Sequence, residues 1–225
     1  MLDFAQARRT MVDCQLRTFD VTDLAVLAAM DEVPREAFVA PGRESLAYSD
    51  QDVAAHDGAG GRVILKPMVL GRMIQALDIG PGTRVLDVAG GLGYASAVMA
   101  RLGARVTLLE GDKALADRAL ETLARVGARG VAAVHGPLEN GHPDGAPYDA
   151  ILVNGAAELR PGRLLDQLAD RGRLVLVEGQ ANGTGRVVGR AVLHVRSGDA
   201  FGARALFDAA APLLPGFGRP PAFVF

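Results

Sequence analysis

From residue 84 onward the chain alternates between two hydrophobic periods. Arg84-Val85-Leu86-Asp87-Val88 is a short, largely apolar run that leads into Ala89-Gly90-Gly91-Leu92-Gly93. Apolar positions then recur at helical spacing at Ala95, Ala97, Val98, Met99 and Leu102. That succession predicts a strand, a tight turn and a helix. The alternation continues with a strand over 105–110, a helix over 113–126, strands over 131–135 and 150–153, a helix over about 163–168 and a strand over 172–178. Two further β segments, 186–196 and 203–207, flank Ser197-Gly198. Alternating strands and helices that end in a hairpin predict an α/β fold. Its sheet is expected to be mostly parallel, with one antiparallel strand.

The first eighty residues read differently. Met11, Leu16, Leu24, Leu27, Ala28 and Met30 follow helical spacing, and Thr22 or Asp23 suits a helix N-cap. Pro34 stops the second helix, because proline cannot continue the hydrogen-bond ladder. Phe38, Val39 and Tyr48 are expected to anchor this segment on the core domain. Residues 54–61 read as a Gly/Ala-rich loop carrying His56 and Asp57. Pro67 suits the first turn of a helix bearing Met68, Leu70, Met73, Ile74 and Leu77. The organisation expected is a helical extension over 1–80 packed on a core domain over 81–225.

The turn after the first core strand carries the candidate chemistry. Gly91 and Gly93 permit a sharp backbone turn and put no Cβ between chain and ligand. The turn opens onto a helix N-terminus, whose N–H groups face outward. The next strand ends in Glu110, nineteen residues after Gly91, close to the ~20 expected of an acid that grips a ribose. Glycines plus a strand-terminal acid point to an adenosine-containing cofactor. The dinucleotide form G-x-G-x-x-G is not met, because Ser96 holds the place of the third glycine. An NAD site and a ligand-free αβ turn stand as alternatives. Asn154, at the end of the fourth core strand, is placed to face the same crevice.

Composition narrows the classes. With 225 residues, 49% of them hydrophobic, the chain is long enough for one α/β domain with a sizeable core. A net charge of −2 gives no bulk electrostatic case for nucleic acid or membrane. Cys14 is the only cysteine, which excludes an intrachain disulfide and a Cys-rich zinc site; it is expected to pack in a helix. His56, His135 and His142 show no ligand spacing, so no metal is expected. Arg8, Arg9 and Arg17 read as a solvated helix face or, less simply, a contact for an anionic partner. No run of about 18 apolar residues occurs, and Asp3, Arg8, Arg9, Asp13 and Arg17 interrupt the N-terminus. Neither signal peptide nor anchor is expected, and the cytoplasm is the expected compartment.

The stretch from Asp87 to Gly93 resembles motif I of the class I S-adenosylmethionine methyltransferases. The N-terminal third is more specific. Met11-Val12, Gln15-Leu16, Asp23, Val26 to Met30, Val33-Pro34-Arg35-Glu36-Ala37-Phe38-Val39 and Ala47-Tyr48-Ser49-Asp50 resemble the opening of protein-L-isoaspartate O-methyltransferases. So do Ala146 to Val153 and Leu164 to Leu168 followed by Gly172-Arg173-Leu174-Val175. The likeness extends to about residue 178. It implies a Rossmann-like, doubly wound, mostly parallel seven-stranded sheet with an N-terminal helical extension and a C-terminal antiparallel hairpin. It also implies S-adenosyl-L-methionine as cofactor, S-adenosyl-L-homocysteine as product, and methyl transfer to a carboxylate of damaged aspartyl residues in a peptide or protein. The cofactor-binding positions implied are Asp87, Ala89, Gly90, Gly91, Gly93, Glu110, Leu138 and Asn154.

Three departures accompany the likeness. The family's G-x-T-I-S-x-P stretch is Arg62-Val63-Ile64-Leu65-Lys66-Pro67 here, so Leu65 takes the place of the Ser beside the transferred methyl. An apolar Leu65 can neither donate nor accept, and a carboxylate brought against it would lose hydration uncompensated. The expectation from this residue alone is poor isoaspartyl turnover with methyl-donor binding retained, and no catalytic residue is assigned. The family's Asp after the third strand is Pro137, within Gly136-Pro137-Leu138, and the first motif I glycine is Ala89. A related acceptor, or a binding module that keeps the fold without the catalysis, remains the alternative.

Overall fold

The computed structural model describes residues 3–56 and 61–219. Residues 57–60 of the Gly/Ala-rich loop, Asp57 among them, lie outside the described residues.

The N-terminal segment is helical as its spacing predicts. Helix α1 (Phe4–Met11) starts at Asp3, whose side chain accepts from Gln6 N. It runs on through a π-helical stretch, Val12–Leu16, and a 3₁₀ turn, Arg17–Phe19. Helix α2 (Leu24–Glu32) is capped by Asp23, which accepts from Ala25 N and Val26 N. A two-stranded antiparallel pair that the sequence pattern does not reveal comes next, β1 (Val53–Ala54) and β2 (Val63–Ile64). Helix α3 (Pro67–Leu77) has its proline in the first turn.

Seven strands make the main sheet: β3 (Arg84–Val88), β4 (Arg105–Glu110), β5 (Val131–His135), β6 (Tyr148–Ala157), β7 (Leu168–Ala181), β8 (Arg186–Ser197) and β9 (Ala200–Pro212). Their spatial order is β5-β4-β3-β6-β7-β8-β9. Strands β3 to β7 pair in parallel, and β8 is antiparallel to both neighbours. Helices α4 (Tyr94–Arg101), α5 (Lys113–Arg125) and the short α6 (Gly162–Leu165) complete the set.

The central strands are buried on both sides, and their side chains sort by a period of two. Val85, Leu108, Ala150, Leu152, Val175 and Val177 face a cluster with Val98, Met99, Leu123 and the α3 residues Leu70, Met73 and Ile74. Leu86, Val88, Leu109, Ile151, Val153, Leu174 and Leu176 face a second cluster closed by Leu164, Leu165, Leu214 and Phe217. The first cluster takes in Met11, Leu16, Leu27, Met30 and Phe38 of the N-terminal segment. Phe38, Val39 and Tyr48 are all buried.

Several expectations need correction. Helix α6 ends at Leu165, well short of residue 168, because β7 already begins at Leu168. Strand β6 continues through Asn154 to Ala157, and β9 runs far beyond 203–207. Cys14 is exposed in the π-helical stretch. Arg8 is not on a solvated face. Its Nε donates to Asp31 O at 2.5 Å and its Nη1 to the Tyr48 hydroxyl at 3.2 Å. Among the described residues no helix is long and apolar enough to cross a membrane.

The V-P-R-E-x-F-V block has its own pillar, Arg35. Its side chain is wholly buried, and burial pushes its pKa down. Nε donates to Ala47 O at 2.6 Å, Nη2 donates to Leu65 O at 2.9 Å, and the guanidinium sits 4.9 Å from the Tyr94 ring centroid. One side chain thus ties the N-terminal segment, the stretch before α3 and the start of α4. Arg35→Met would leave two buried carbonyls without a donor, at about 1–3 kcal/mol each. The expected outcome is a loss of about 2–4 kcal/mol in urea unfolding at unchanged m. A loss under about 1 kcal/mol would remove Arg35 from this role.

Candidate functional site

The sheet reverses its winding between β3 and β6. β4 and β5 lie to one side of β3, and β6 and β7 to the other. In open α/β sheets the ligand crevice lies at such a point, outside the carboxyl ends of the strands. Here β3 passes at Val88 into Ala89-Gly90-Gly91-Leu92-Gly93, and α4 starts at Tyr94.

Backbone demands explain the turn. Ala89, Gly91 and Gly93 all take positive φ, at 59°, 59° and 95°. Gly93 N bonds Gly90 O at 2.9 Å, and Ala89 N bonds Leu109 O of β4 at 2.9 Å. Ala89 therefore sits in a left-handed conformation that disfavours a Cβ by about 1–2 kcal/mol, where the resembling family has glycine. A Cβ at Gly90 would meet the Leu108 side chain at 2.7 Å and Asp87 Oδ2 at 3.0 Å. Gly91 faces the segment before β2; a Cβ there would stand 3.6 Å from Ala55 Cβ and 3.9 Å from Arg62 Cβ.

Two buried carboxylates brace the turn. Asp87 is wholly buried beneath it. Ser96 Oγ donates to Asp87 Oδ2 at 2.5 Å, and Asn154 Nδ2 donates to Asp87 Oδ1 and to Val88 O. Burial raises the Asp87 pKa to about 7; the bonds from Ser96 and Asn154 oppose the rise and nearby Glu110 adds to it. Glu110, at the end of β4, is also fully buried. It accepts from Gly91 N at 3.1 Å and Gly111 N at 2.7 Å, and from Arg62 through Nε at 3.0 Å and Nη2 at 2.7 Å. Beside Glu110 opens a cavity of about 290 Å³, walled also by Arg62, Gly111, Asp112, Pro137 and Leu138.

The structure thus brings Asp87, Ala89, Gly90, Gly91, Gly93, Glu110 and Asn154 together around the carboxyl ends of β3 and β4, with Asn154 inside β6 just beyond the level of the end of β3. Leu138 joins them from the turn after β5, its side chain in the second cluster beside Val88 and Ala89. Leu65 is packed in the first cluster, 1% exposed, with its carbonyl held by Arg35. Its apolar character follows from that packing. Three residues escape the sequence reading. Arg62 pairs with Glu110 across 48 residues, Ser96 bonds Asp87 where a third glycine would have stood, and Arg35 joins three segments. Only Ser96 had a signal, its place on the first turn of α4, nine residues after Asp87. His56 Nδ1 lies 3.0 Å from Arg118 Nη1, and no cluster of three or more His, Cys, Asp or Glu suited to a metal occurs among the described residues.

Sheet order, glycine turn and strand-terminal acid together define a doubly wound α/β domain with a candidate ligand crevice at its switch point. The family model for protein-L-isoaspartate(D-aspartate) O-methyltransferase matches residues 7–189. The chain is 41% identical over 178 residues to the protein-L-isoaspartate O-methyltransferase of Roseiflexus sp. (strain RS-1), covering 79% of this chain and 80% of that one. It is 42% identical over 181 residues to the Methylorubrum extorquens (strain PA1) protein of the same name, covering 80% and 78%. The chain belongs to the protein-L-isoaspartate(D-aspartate) O-methyltransferase family. The fold agrees with two solved structures. One, a protein-L-isoaspartate O-methyltransferase, superposes with a TM-score of 0.81 at 24% identity, covering 94% of this chain and 67% of that one. The other, a Plasmodium falciparum protein titled a putative protein-L-isoaspartate O-methyltransferase in complex with S-adenosyl-L-homocysteine, superposes at 0.72 and 22% identity, covering 95% and 99%.

The raised pKa of Asp87 links stability to pH. An unfolded Asp titrates near 3.9, so between about pH 4 and pH 7 the folded state binds the extra proton. Its contribution is fully present below pH 4 and is lost as pH rises through 7. Asp87→Asn removes that dependence. Wild type is expected to lose on the order of 2–4 kcal/mol relative to the variant between pH 4 and pH 7.5, read from urea unfolding across that range. Parallel stability profiles would show that Asp87 is ionised throughout.

Proposed function

We propose that this protein is an S-adenosylmethionine-dependent methyltransferase acting on the carboxylate of isoaspartyl residues in proteins and peptides. The observation that carries the reading is a family match over most of the chain, on a fold whose glycine turn is closed by a buried strand-terminal acid. The residues fit the cofactor. Glu110 is an acceptor pair suited to a ribose diol, and Gly91 offers backbone without a Cβ. Pro137 and Leu138 give the adjoining cavity an apolar wall of the kind an adenine ring takes. When bound, the cofactor supplies a methyl group on a positively charged sulfur.

The chain's own role is positioning. Glu110, Gly91 and Leu138 hold the nucleoside end, and Gly93, where a Cβ would meet Leu123 of α5, lets the turn pass close to that helix. Asp87, tied to Asn154 and Ser96, keeps the turn in shape, and Ala89 and Gly90 complete it. An acceptor carboxylate is ionised at pH 7 and is itself the nucleophile, so no strong base is required. Rate then comes from aligning oxygen and methyl carbon, the proximity effect. With Leu65 in the core, the acceptor is positioned by groups other than a hydroxyl at that position. A binding-only module is the weaker reading, because relatives about 40% identical carry the enzyme's name. An NAD site is weaker still, with Ser96 engaged on Asp87. We place the enzyme in the cytoplasm, with damaged proteins as its substrates.

The test is methyl transfer to one peptide made in isoaspartyl and normal aspartyl forms. Isoaspartyl-selective transfer by the wild type is the expected result, with Leu65→Ser giving no more than a twofold gain. No transfer while S-adenosylhomocysteine binds would favour the binding module. A large gain in Leu65→Ser would return the missing hydroxyl to the centre of the chemistry.

A further inference from the structure

The ribose-binding acid proposed above already has its acceptor positions filled. A carboxylate offers about four lone-pair sites. At Glu110 they are met by Gly91 N, Gly111 N, Arg62 Nε and Arg62 Nη2. The side chain of Glu110 is 0% exposed and that of Arg62 10%. A ribose diol reaches such a carboxylate only by donating its hydroxyls, and each new donor needs a lone pair now in use. The two amides belong to the glycine turn and to the residue after β4, so they are fixed by the backbone. The guanidinium is the one donor among these that belongs to a side chain.

The surroundings fit such a displacement. Arg62 stands just before β2, and its carbonyl accepts from Ala55 N at 2.9 Å, which holds its backbone over Gly91. Its side chain lines the cavity beside Glu110, and Asp112 and Glu139 line the same cavity. Asp112 uses Oδ1 to cap α5. A guanidinium turned away from Glu110 therefore meets other carboxylates on the same wall.

We propose that Arg62 is a built-in competitor for the ribose site and sets the affinity for the nucleoside cofactor. The proposal rests on the cofactor reading above. Arg62 stabilises the free protein by pairing with a buried charge, and that pair must be broken when the ribose diol engages Glu110. The methyl donor is then bound more weakly than the site's own contacts would allow, and product release is eased by the same guanidinium returning.

The test is isothermal titration of S-adenosylhomocysteine into wild type, Arg62→Gln, Glu110→Ala and the double variant, with melting temperatures measured with and without the ligand. Arg62→Gln is expected to melt lower when free, to bind at least fivefold tighter, and to show a larger ligand-induced rise in melting temperature. In the Glu110→Ala background the same substitution is expected to leave affinity unchanged, since nothing is left to compete for. Under turnover the KM for the methyl donor falls while kcat holds or declines. Arg62→Lys, which keeps the charge but not the fork, serves if Arg62→Gln does not fold, and is expected to bind between the two. Equal or weaker binding by both Arg62 variants overturns the proposal while leaving the cofactor reading intact. No binding by wild type or any variant overturns the cofactor reading and the proposal with it.

Discussion

The buried carboxylate of Glu110 is the contact on which the site turns. It closes β4, holds the amide of Gly91 in the neighbouring turn and the amide of Gly111, and draws in Arg62 from the segment before β2. A charge placed in that position has to be met on every side, because an unpaired buried carboxylate costs several kcal/mol. The glycine turn, the β1–β2 pair and the β4 end are thus fixed with respect to one another by a single side chain. Asp87 has the same role beneath the turn. It can be held beside Glu110 because burial keeps it partly protonated near neutrality and because Ser96 and Asn154 supply donors.

The N-terminal segment extends this logic. Arg35 carries a charge into the core and offsets it with two carbonyls and an aromatic face, joining Ala47, Leu65 and Tyr94. The stretch around Arg35 thereby helps to fix the start of α4, next to the glycine turn. Tyr48, Glu36 and Arg8 form a second polar knot in the same segment, and burial, with a bond to Glu36, holds the Tyr48 hydroxyl in its protonated form. Asp52 adds a third tie, accepting from Lys66 N at the start of α3 and from Arg186 of β8.

Much of this was legible in the sequence where a local rule governs. The strand–turn–helix at 84–101 announces itself because glycines are required where φ is positive, and Glu110 because a strand end fixes where its side chain points. The parallel strands read clearly because both of their faces are apolar. The misses have separate physical causes. Arg62 and Arg35 act through partners distant in sequence, for which no local period exists. The β1–β2 pair is only two residues long on each strand, too short for any alternation to register. Strand β9 is legible only over 203–207, because its last residues, Asp208-Ala209-Ala210-Ala211-Pro212, are alanine-rich and lack β-branched or aromatic side chains. Leu65 stands where the resemblance puts a Ser, and its side chain is packed in the core.

The grip of Glu110 on the nucleoside end of the cofactor is tested most directly by calorimetric titration of S-adenosylhomocysteine into wild type and Glu110→Ala. The expected result is micromolar-class binding by the wild type and a roughly ten- to hundredfold weakening in the variant, equivalent to the ~1.5–3 kcal/mol of hydrogen bonding to a charged group. Equal affinity in the two proteins would remove Glu110 from the site and contradict the claim.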